Sequence, residues 1–566
     1  MKYLFLLLTL LSFSCSAQAQ NWLWATQFGT PKSDPLTDIE FTASGQLLLS
    51  GIFGDSIQIG SSQLIPPGNY GYGYVAKFQN DGTPIWGKSI FTNKGTSAQN
   101  FFFRFNVAET PEQEIVVSSH FANTMILGSD TLKEVNGGTF LTKLNSSGNQ
   151  LWARNFGQPN VPGSNAMQLS PHVVDSDGNI YIACAFTDIA TFKTDTLNAL
   201  NGSIYIVKFD KNGEEKWVKQ CGGTYGWARV YDLKIDTDAS LYLTGTISDN
   251  AHFGTDTLSV PAYRNITYLA KMDKNGNFLW ARKGGPTDPV LLPAQTGSSS
   301  YGVGIGLGAD LVYYTGFFED TSKFGNQIVY PLCGHEYCGN FFLVAYDKLG
   351  NFKWVRTSNQ ANRSSGSNLV SDVNGSVFIV GSFQNSIGFG NHVVTSNGIN
   401  DYYIAKFDSS GHCNWLINFG FELNPPQLAV NCSSSGIYVG SSWTGSAGIL
   451  ASLGLPFTNN YQAFIAVLSS DFECPAVYSE EPTSRVSPLL IYPNPVENSL
   501  QFELDASYAN TSIHIYSTLG SLVGTWLAVE GTNSIELVNL PQGPYFLVVV
   551  ENNTGIKHAA VPFLKY

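Results

Sequence analysis

One interval recurs through this chain without variation, and it constrains the fold more than any other feature. Lys77 and Trp86, Lys143 and Trp152, Lys208 and Trp217, Lys271 and Trp280, Ala345 and Trp354, and Lys406 and Trp415 are each nine positions apart. Successive copies, by contrast, are separated by 66, 65, 63, 74, 61 and 61 residues, the last step reaching a degenerate copy, Phe464-Ile-Ala-Val-Leu-Ser-Ser-Asp-Phe472. Constant inner spacing with elastic outer spacing is what a rigid hairpin with insertions elsewhere produces. The hairpin turn reads Asn145-x-x-Gly148, Asp210-x-x-Gly213, Asp273-x-x-Gly276, Asp347-x-x-Gly350 and Asp408-x-x-Gly411. Asp and Asn bond their own backbone in such turns, and Gly takes the positive φ.

A second element appears once per repeat: Gly45–Gly51, Glu112–Ser118, Gly178–Cys184, Ala239–Gly245, Ala309–Gly316, Gly375–Gly381 and Ser435–Gly440. These short apolar runs bounded by turn residues read as strands buried on both faces. A third element follows, a turn and short strand beginning near Ile59, Leu127, Phe192, Phe253, Phe324 and Phe389. Each repeat thus offers about four strands, and no segment shows a 3.6-residue apolar period. The expected fold class is all-β, a seven-bladed β-propeller over residues 20–476 followed by a small antiparallel β-sandwich. The last repeat has Ala476 where its Trp should stand, while an unpaired Asn21-Trp-Leu-Trp-Ala25 opens the chain. The expectation is that this strand fills the vacant place in the last blade, closing the ring and hiding sheet edges. The Trp residues are then wedges between blades, each burying about 150–250 Å². The recurring Lys reads as a solvated strand position.

The hairpin resembles the SBBP-type bacterial β-propeller repeat, whose units end in Lys-Phe-Asp-x-x-Gly-x-x-x-Trp. The resemblance spans about residues 21–476, with departures in copies two, five and seven.

A polar linker, residues 477–487, precedes a different pattern. Tyr492-Pro493-Asn494-Pro495 opens it. Leu519-Gly520, Leu540-Pro-Gln-Gly543-Pro-Tyr545 and alternating strands follow, with turns every 8–12 residues. Period-two alternation at this spacing argues for a small sandwich. Residues 488–566 resemble a type A sorting domain of the type IX secretion system. The matching positions are Tyr492, Pro493, Asn494, Pro495, Gly520, Leu540, Gly543 and Tyr545; Pro544 and the tail Phe563-Leu-Lys-Tyr566 depart from the pattern. The resemblance implies the type IX machinery as a partner and delivery across the outer membrane of a Gram-negative bacterium, to the surface or the medium.

The other end fits that route. Lys2, an apolar run from Leu4 to Phe13 and Ala17-Gln-Ala19 form a signal peptide over residues 1–19, cleaved between Ala19 and Gln20. The apolar run is too short to span a bilayer, and no later stretch suits a transmembrane helix. A formal net charge of −13 argues against a nucleic-acid partner. Cys333 and Cys338 bracket a short loop that a disulfide would close in an exported protein.

Catalytic signatures are missing: no phosphate loop, no His-Glu-x-x-His, and His335-Glu336 as the one mixed cluster. Asp175-Ser-Asp177-Gly178-Asn179 lacks the ligands of a calcium loop and reads as a turn. Neither metal nor cofactor is expected. Three functions remain. The first is a non-enzymatic binding module for polysaccharide or protein, using the insertions around Leu291–Tyr301 and Tyr330–Cys338. The second is a polysaccharide lyase or hydrolase, which requires carboxylates, Tyr and Arg converging at one mouth of the channel. The third is a structural matrix protein.

Overall fold

The computed structural model describes residues 22–28, 36–53, 55–65, 72–93, 105–127, 130–157, 171–223, 226–261, 264–286, 299–332, 339–360, 363–372, 374–396, 398, 400–418, 429–433, 436–445, 458–468, 491–492, 496–504, 511–517, 522–529, 531–551 and 557–565. Every named element among them is a β-strand, and the chain divides into two compact units, residues 1–478 and 479–566.

In the first unit, strand pairing among the described residues forms seven antiparallel sets of four. Set one is Leu36–Phe41, Leu47–Phe53, Tyr72–Phe78 and Pro84–Asn93; set two is Asn106–Glu109, Ile115–Leu127, Asp130–Leu144 and Gln150–Phe156. Set three is His172–Val174, Ile180–Thr191, Thr196–Phe209 and Glu215–Gly223; set four is Ala228–Ile235, Leu241–Ile247, Ile266–Met272 and Phe278–Pro286. Set five is Ser300–Leu307, Leu311–Phe318, Asn340–Asp347 and Phe352–Thr357; set six is Ser364–Ser371, Val377–Phe383, Asp401–Phe407 and Cys413–Asn418. Set seven takes Ala429–Ser433, Gly436–Gly445 and Thr458–Leu468, and its fourth strand is Trp22–Phe28 from the start of the chain.

The N-terminal strand lies in the register that the repeats share. Trp24 stands opposite Val467 as Trp152 stands opposite Lys143 and Trp217 opposite Lys208. The first strand of each set touches the first strand of the next, and that of set seven touches that of set one. Tyr438, Ile465 and Val467 of set seven share one apolar core with Ile39, Leu49 and Ala76 of set one.

A recurring clamp joins neighbouring sets. A Cβ at Gly82, Gly148, Gly213, Gly350 or Gly411 would meet the ring of Trp24, Trp86, Trp152, Trp280 or Trp354 at 2.8, 3.0, 2.9, 2.8 or 3.0 Å. Each of these Trp rings packs on the hairpin turn of the following set. The indole N–H groups of Trp86, Trp280 and Trp354 donate to turn carbonyls of Ser146, Lys348 and Ser409. The turn glycine serves twice, since Gly213 also holds φ at +78°.

The recurring Lys overturns the solvated reading. Lys77, Lys143 and Lys271 are buried. Lys143 pairs with Glu114 and donates to the Lys211 carbonyl at 2.8 Å, and Lys77 lies 3.9 Å from Glu109. Lys208 and Lys271 sit over the rings of Tyr181 and Tyr242, at 4.8 and 5.0 Å. The aliphatic stems pack in the sheet while the ammonium finds a ring or carboxylate of its own set, as at Tyr181, Tyr242 and Glu114, or a carboxylate or carbonyl of the next, as at Glu109 and Lys211. The third element also does more than expected. The hairpins Ala251–Phe253/Asp256–Leu258 and Ser322–Phe324/Gln327–Val329 pair with the outer strand of the preceding set.

The second unit has two antiparallel sheets. One contains Ile491–Tyr492, Ser499–Leu504 and Gly531–Glu536; the other contains Leu522–Leu527, Thr511–Ser517, Gly543–Glu551 and Lys557–Lys565. Leu500, Phe502 and Ile535 from the first share a core with Ile513, Ile515, Leu547 and Val549 from the second.

Candidate functional site

Two regions of the first unit break its regularity. The first runs over sets four to six. The bulge that the first strands of sets one, four, five and six share, here between Val230 and Asp232, leaves an aromatic residue, Tyr231, unpaired and half-buried. Just before it, Arg229 lies over the Trp227 ring at 4.9 Å. Burial raises the Tyr231 phenol, with Arg229 opposing. The Tyr231 ring lies 6.5 Å from Tyr301 of set five, and Tyr301 stacks on Phe317 at 4.8 Å. Phe317 in turn walls a cleft of about 170 Å³ whose other sides are Arg363, Ser365, Ser382, Gln384 and Asn400. Ser365 and Ser382 share a 3.0 Å hydrogen bond, and the Gln384 amide donates to Asn400 at 2.7 Å. Arg363 is exposed. Glu319 accepts from the Ser299 amide at 3.0 Å; burial raises its carboxyl, against that hydrogen bond and the field of Arg363.

The second region is the lining formed by the first strands. Strand register places Glu40, Ala108, Val173, Lys234, Gly306, Val370 and Asn431 at one level. All but Gly306 are half-buried, each beside at least one buried neighbour in its own strand. Glu40 and Lys234 are the two charges of this level. Asn431 donates to Glu40 at 2.9 Å. Enclosure by protein pushes the Glu40 carboxyl up to about 7; Lys234 and Asn431 oppose, while Asp38 and Asp232 add to the rise.

Asp38 and Asp232 are already engaged one level away. Asp38 accepts from its neighbour Ile39 and from Val107 of set two, both at 3.0 Å. Asp232 accepts from Leu233 and from Ile305 of set five, at 2.9 and 2.8 Å. Each carboxylate pins the first strand of one set to that of the next. The residue before a buried aliphatic at the strand bulge was the available sequence signal.

Cysteine chemistry is disfavoured at the described thiols. Cys184 lies 3.8 Å from the His120 imidazole, but burial raises the thiol to about 11 and lowers His120 to about 4. Asp175 is a turn: it accepts from the amides of Asp177 and Asn179 and from the Tyr181 hydroxyl. Among the described residues, no cluster of His, Cys, Asp and Glu is suited to a metal ion. None of their helices is long and apolar enough to cross a membrane. Tyr301, at the edge of one expected binding insertion, belongs to the aromatic row. Ala19, Gln20, residues 291–298, Cys333 and Cys338 lie outside the described residues.

In the second unit, Tyr492 pairs with Gln501 in a short strand. Leu540 packs against the core, and the Tyr545 hydroxyl donates to the Pro541 carbonyl at 3.0 Å. The Leu-Pro-x-Gly-x-Tyr run is therefore a turn locked by its own tyrosine. Gly543 bends with φ at +149°. Pro493, Asn494, Pro495 and Gly520 lie outside the described residues.

Residues 490–561 match the family model described as the secretion system C-terminal sorting domain. The chain thus carries a type IX sorting domain, which directs it through that machinery to the cell surface or the extracellular space. An uncharacterised WD repeat-containing protein of Acanthamoeba polyphaga mimivirus is 25% identical over 236 residues, covering 36% of this chain and 16% of that protein. The chain thus matches less than a fifth of that relative's length. Among solved structures, the quinohemoprotein alcohol dehydrogenase of Comamonas testosteroni aligns at 10% identity and a TM-score of 0.34, covering 83% of this chain and 79% of its own. A DUF4221 family member from Bacteroides vulgatus aligns at 12% identity and a TM-score of 0.31, covering 80% and 97%. Likenesses this loose carry nothing about activity.

Proposed function

We propose that this chain is an exported binding protein. A seven-bladed β-propeller, residues 20–476, presents one end of its ring to a polysaccharide or protein ligand. A linker, residues 477–487, joins it to a β-sandwich sorting domain, residues 488–566. The observation that carries the reading is the row of rings from Tyr231 through Tyr301 to Phe317, which ends at a polar cleft. Half-buried aromatic faces beside neutral donors and acceptors suit a ligand with both apolar faces and hydroxyls, as sugars have. The set-to-set circuit of first strands and the pairing of Trp22–Phe28 with Thr458–Leu468 support the propeller. The shared core of the two C-terminal sheets supports the sandwich. Glycan arrays and pull-downs with the full chain test the reading: ligands lost on Tyr301→Ala support it, and an empty array with an empty pull-down removes it.

A second reading has one observation in its favour. Glu40 titrates near neutrality opposite Lys234, as a general acid in a polysaccharide lyase or hydrolase would. Turnover of an array-positive glycan that Glu40→Gln abolishes would move the assignment to an enzyme. Neither reading uses a cofactor or nucleic acid.

A further inference from the structure

We infer that the cleft between sets five and six is a subsite for an acidic sugar, a hexuronate residue of a longer polysaccharide. The inference rests on the binding reading above and names its ligand class.

Three walls make the case. Phe317 is one. It is half-buried and braced by Tyr301, at 4.8 Å between centroids and 24° between planes, so it offers a fixed flat face for the C–H face of a pyranose. The second wall is neutral and polar. Ser365 with Ser382 and Gln384 with Asn400 each make one mutual hydrogen bond, at 3.0 and 2.7 Å. Each of the four keeps further donor or acceptor capacity after that bond. Neutral groups of mixed polarity at a volume of about 170 Å³ suit one sugar ring and its hydroxyls.

Arg363 is the third wall and fixes the charge. The other described arginines are held by the protein itself. Arg154 and Arg229 lie over Trp152 and Trp227. Arg264 and Arg282 pair with Asp320 and Asp256, and Arg356 donates to Gly411 and Ser410 carbonyls. Arg363 is exposed and has no ion pair among the described residues, and the nearby Glu319 is turned to the Ser299 amide. In a chain of formal net charge −13, a guanidinium left open at the rim of a polar cleft favours an anionic guest. Its planar fork matches a carboxylate with two parallel hydrogen bonds. Sugars on either side would continue along Tyr301 and Tyr231.

Calorimetry on the full chain with tetragalacturonate and with its fully methyl-esterified form separates charge from shape. The expected result is at least tenfold tighter binding of the acid. Arg363→Gln should remove that preference while leaving the ester unchanged, and Phe317→Ala should weaken both. Should Phe317→Ala lower the melting temperature, Phe317→Leu removes the ring at similar volume. An array of uronate and neutral oligosaccharides completes the test. Equal binding of acid and ester, or a neutral hit sensitive to Phe317 but not to Arg363, overturns the acidic class and leaves the binding reading standing. An array with no hit of either kind overturns both.

Discussion

The periphery and the lining of the first unit are built by opposite rules. At the periphery, Trp24, Trp86, Trp152, Trp280 and Trp354 make the same contact with the turn glycine of the next set. At the equivalent level of the first strands stand Glu40, Ala108, Val173, Lys234, Gly306, Val370 and Asn431, with valine the one type that recurs. The repeated contact joins one set to the next in the same way around most of the unit. The lining has no such duty, so its side chains are free to differ. Where a repeat protein stops repeating is therefore where its chemistry is to be sought. The fourth set shows the tolerance of the rule: a Cβ at Gly276 would meet first the Lys219 stem, while Trp217 keeps with the tyrosine of its own set, Tyr181 at 6.0 Å, the contact that Trp24, Trp280 and Trp354 make with theirs.

The sharpest way to break this comparison is to open the circuit. A variant lacking residues 22–28 leaves set seven with three strands, exposes the edge of Thr458–Leu468 and withdraws Trp24 from Gly82. Loss of more than about 5 kcal/mol is expected, seen as a lost cooperative melting transition. A transition at the parental temperature would mean that the first and last sets do not depend on each other. Next in size is the peripheral lysine. Lys143→Met removes the partner of Glu114, whose side chain is 27% exposed, and should cost about 3 kcal/mol in denaturant unfolding. Lys193→Ala removes a pair between side chains that are 70% and 49% exposed and should leave the midpoint unmoved. Equal effects would return the recurring lysine to the surface role its charge suggests.

The lining responds to pH instead. Glu40 has a folded-state pKa of about 7 against 4.5 unfolded. Between those values the folded chain holds the proton that the unfolded chain has released, so stability falls as pH rises from 4.5 to 7. Relative to Glu40→Gln, the wild type should lose on the order of 2 kcal/mol across that window, read from urea midpoints at each pH. A parallel pair of curves would show that Glu40 is ionised throughout.

What the sequence disclosed follows the same division. The hairpin, its turn glycine and the missing last Trp are local or strictly periodic, so spacing alone exposes them. The lysine misleads because its partners are remote: Glu109 lies across a set boundary from Lys77, and a charge in a string of letters reads as a solvated one. Asp38 and Asp232 escape notice for the same reason, since each bonds an amide about seventy residues away in the next set. Phe317, Arg363 and Gln384 carry no motif and converge only when sets five and six lie side by side. The sorting domain was legible because its Leu540–Tyr545 run is one turn with its own hydroxyl lock.

The smallest effect tests the clamp itself. Gly45 and Gly213 both hold a positive φ, +74° and +78°, so either substituted by Ala meets the same backbone strain, about 1 kcal/mol. Their surroundings differ. Nothing lies within 4 Å of a Cβ at Gly45, whereas one at Gly213 would sit 2.9 Å from the Trp152 ring. Trp152 is hemmed in by its own surroundings, since Arg154 lies over its ring at 5.6 Å. Gly213→Ala should therefore cost about 1 kcal/mol more than Gly45→Ala in equilibrium unfolding. The excess should vanish when Trp152 is also replaced by Leu, since a smaller side chain leaves the new methyl its space. If the two glycine variants unfold together with Trp152 in place, the turn tolerates the methyl group. The peripheral contact would then guide neighbouring sets without fixing their angle.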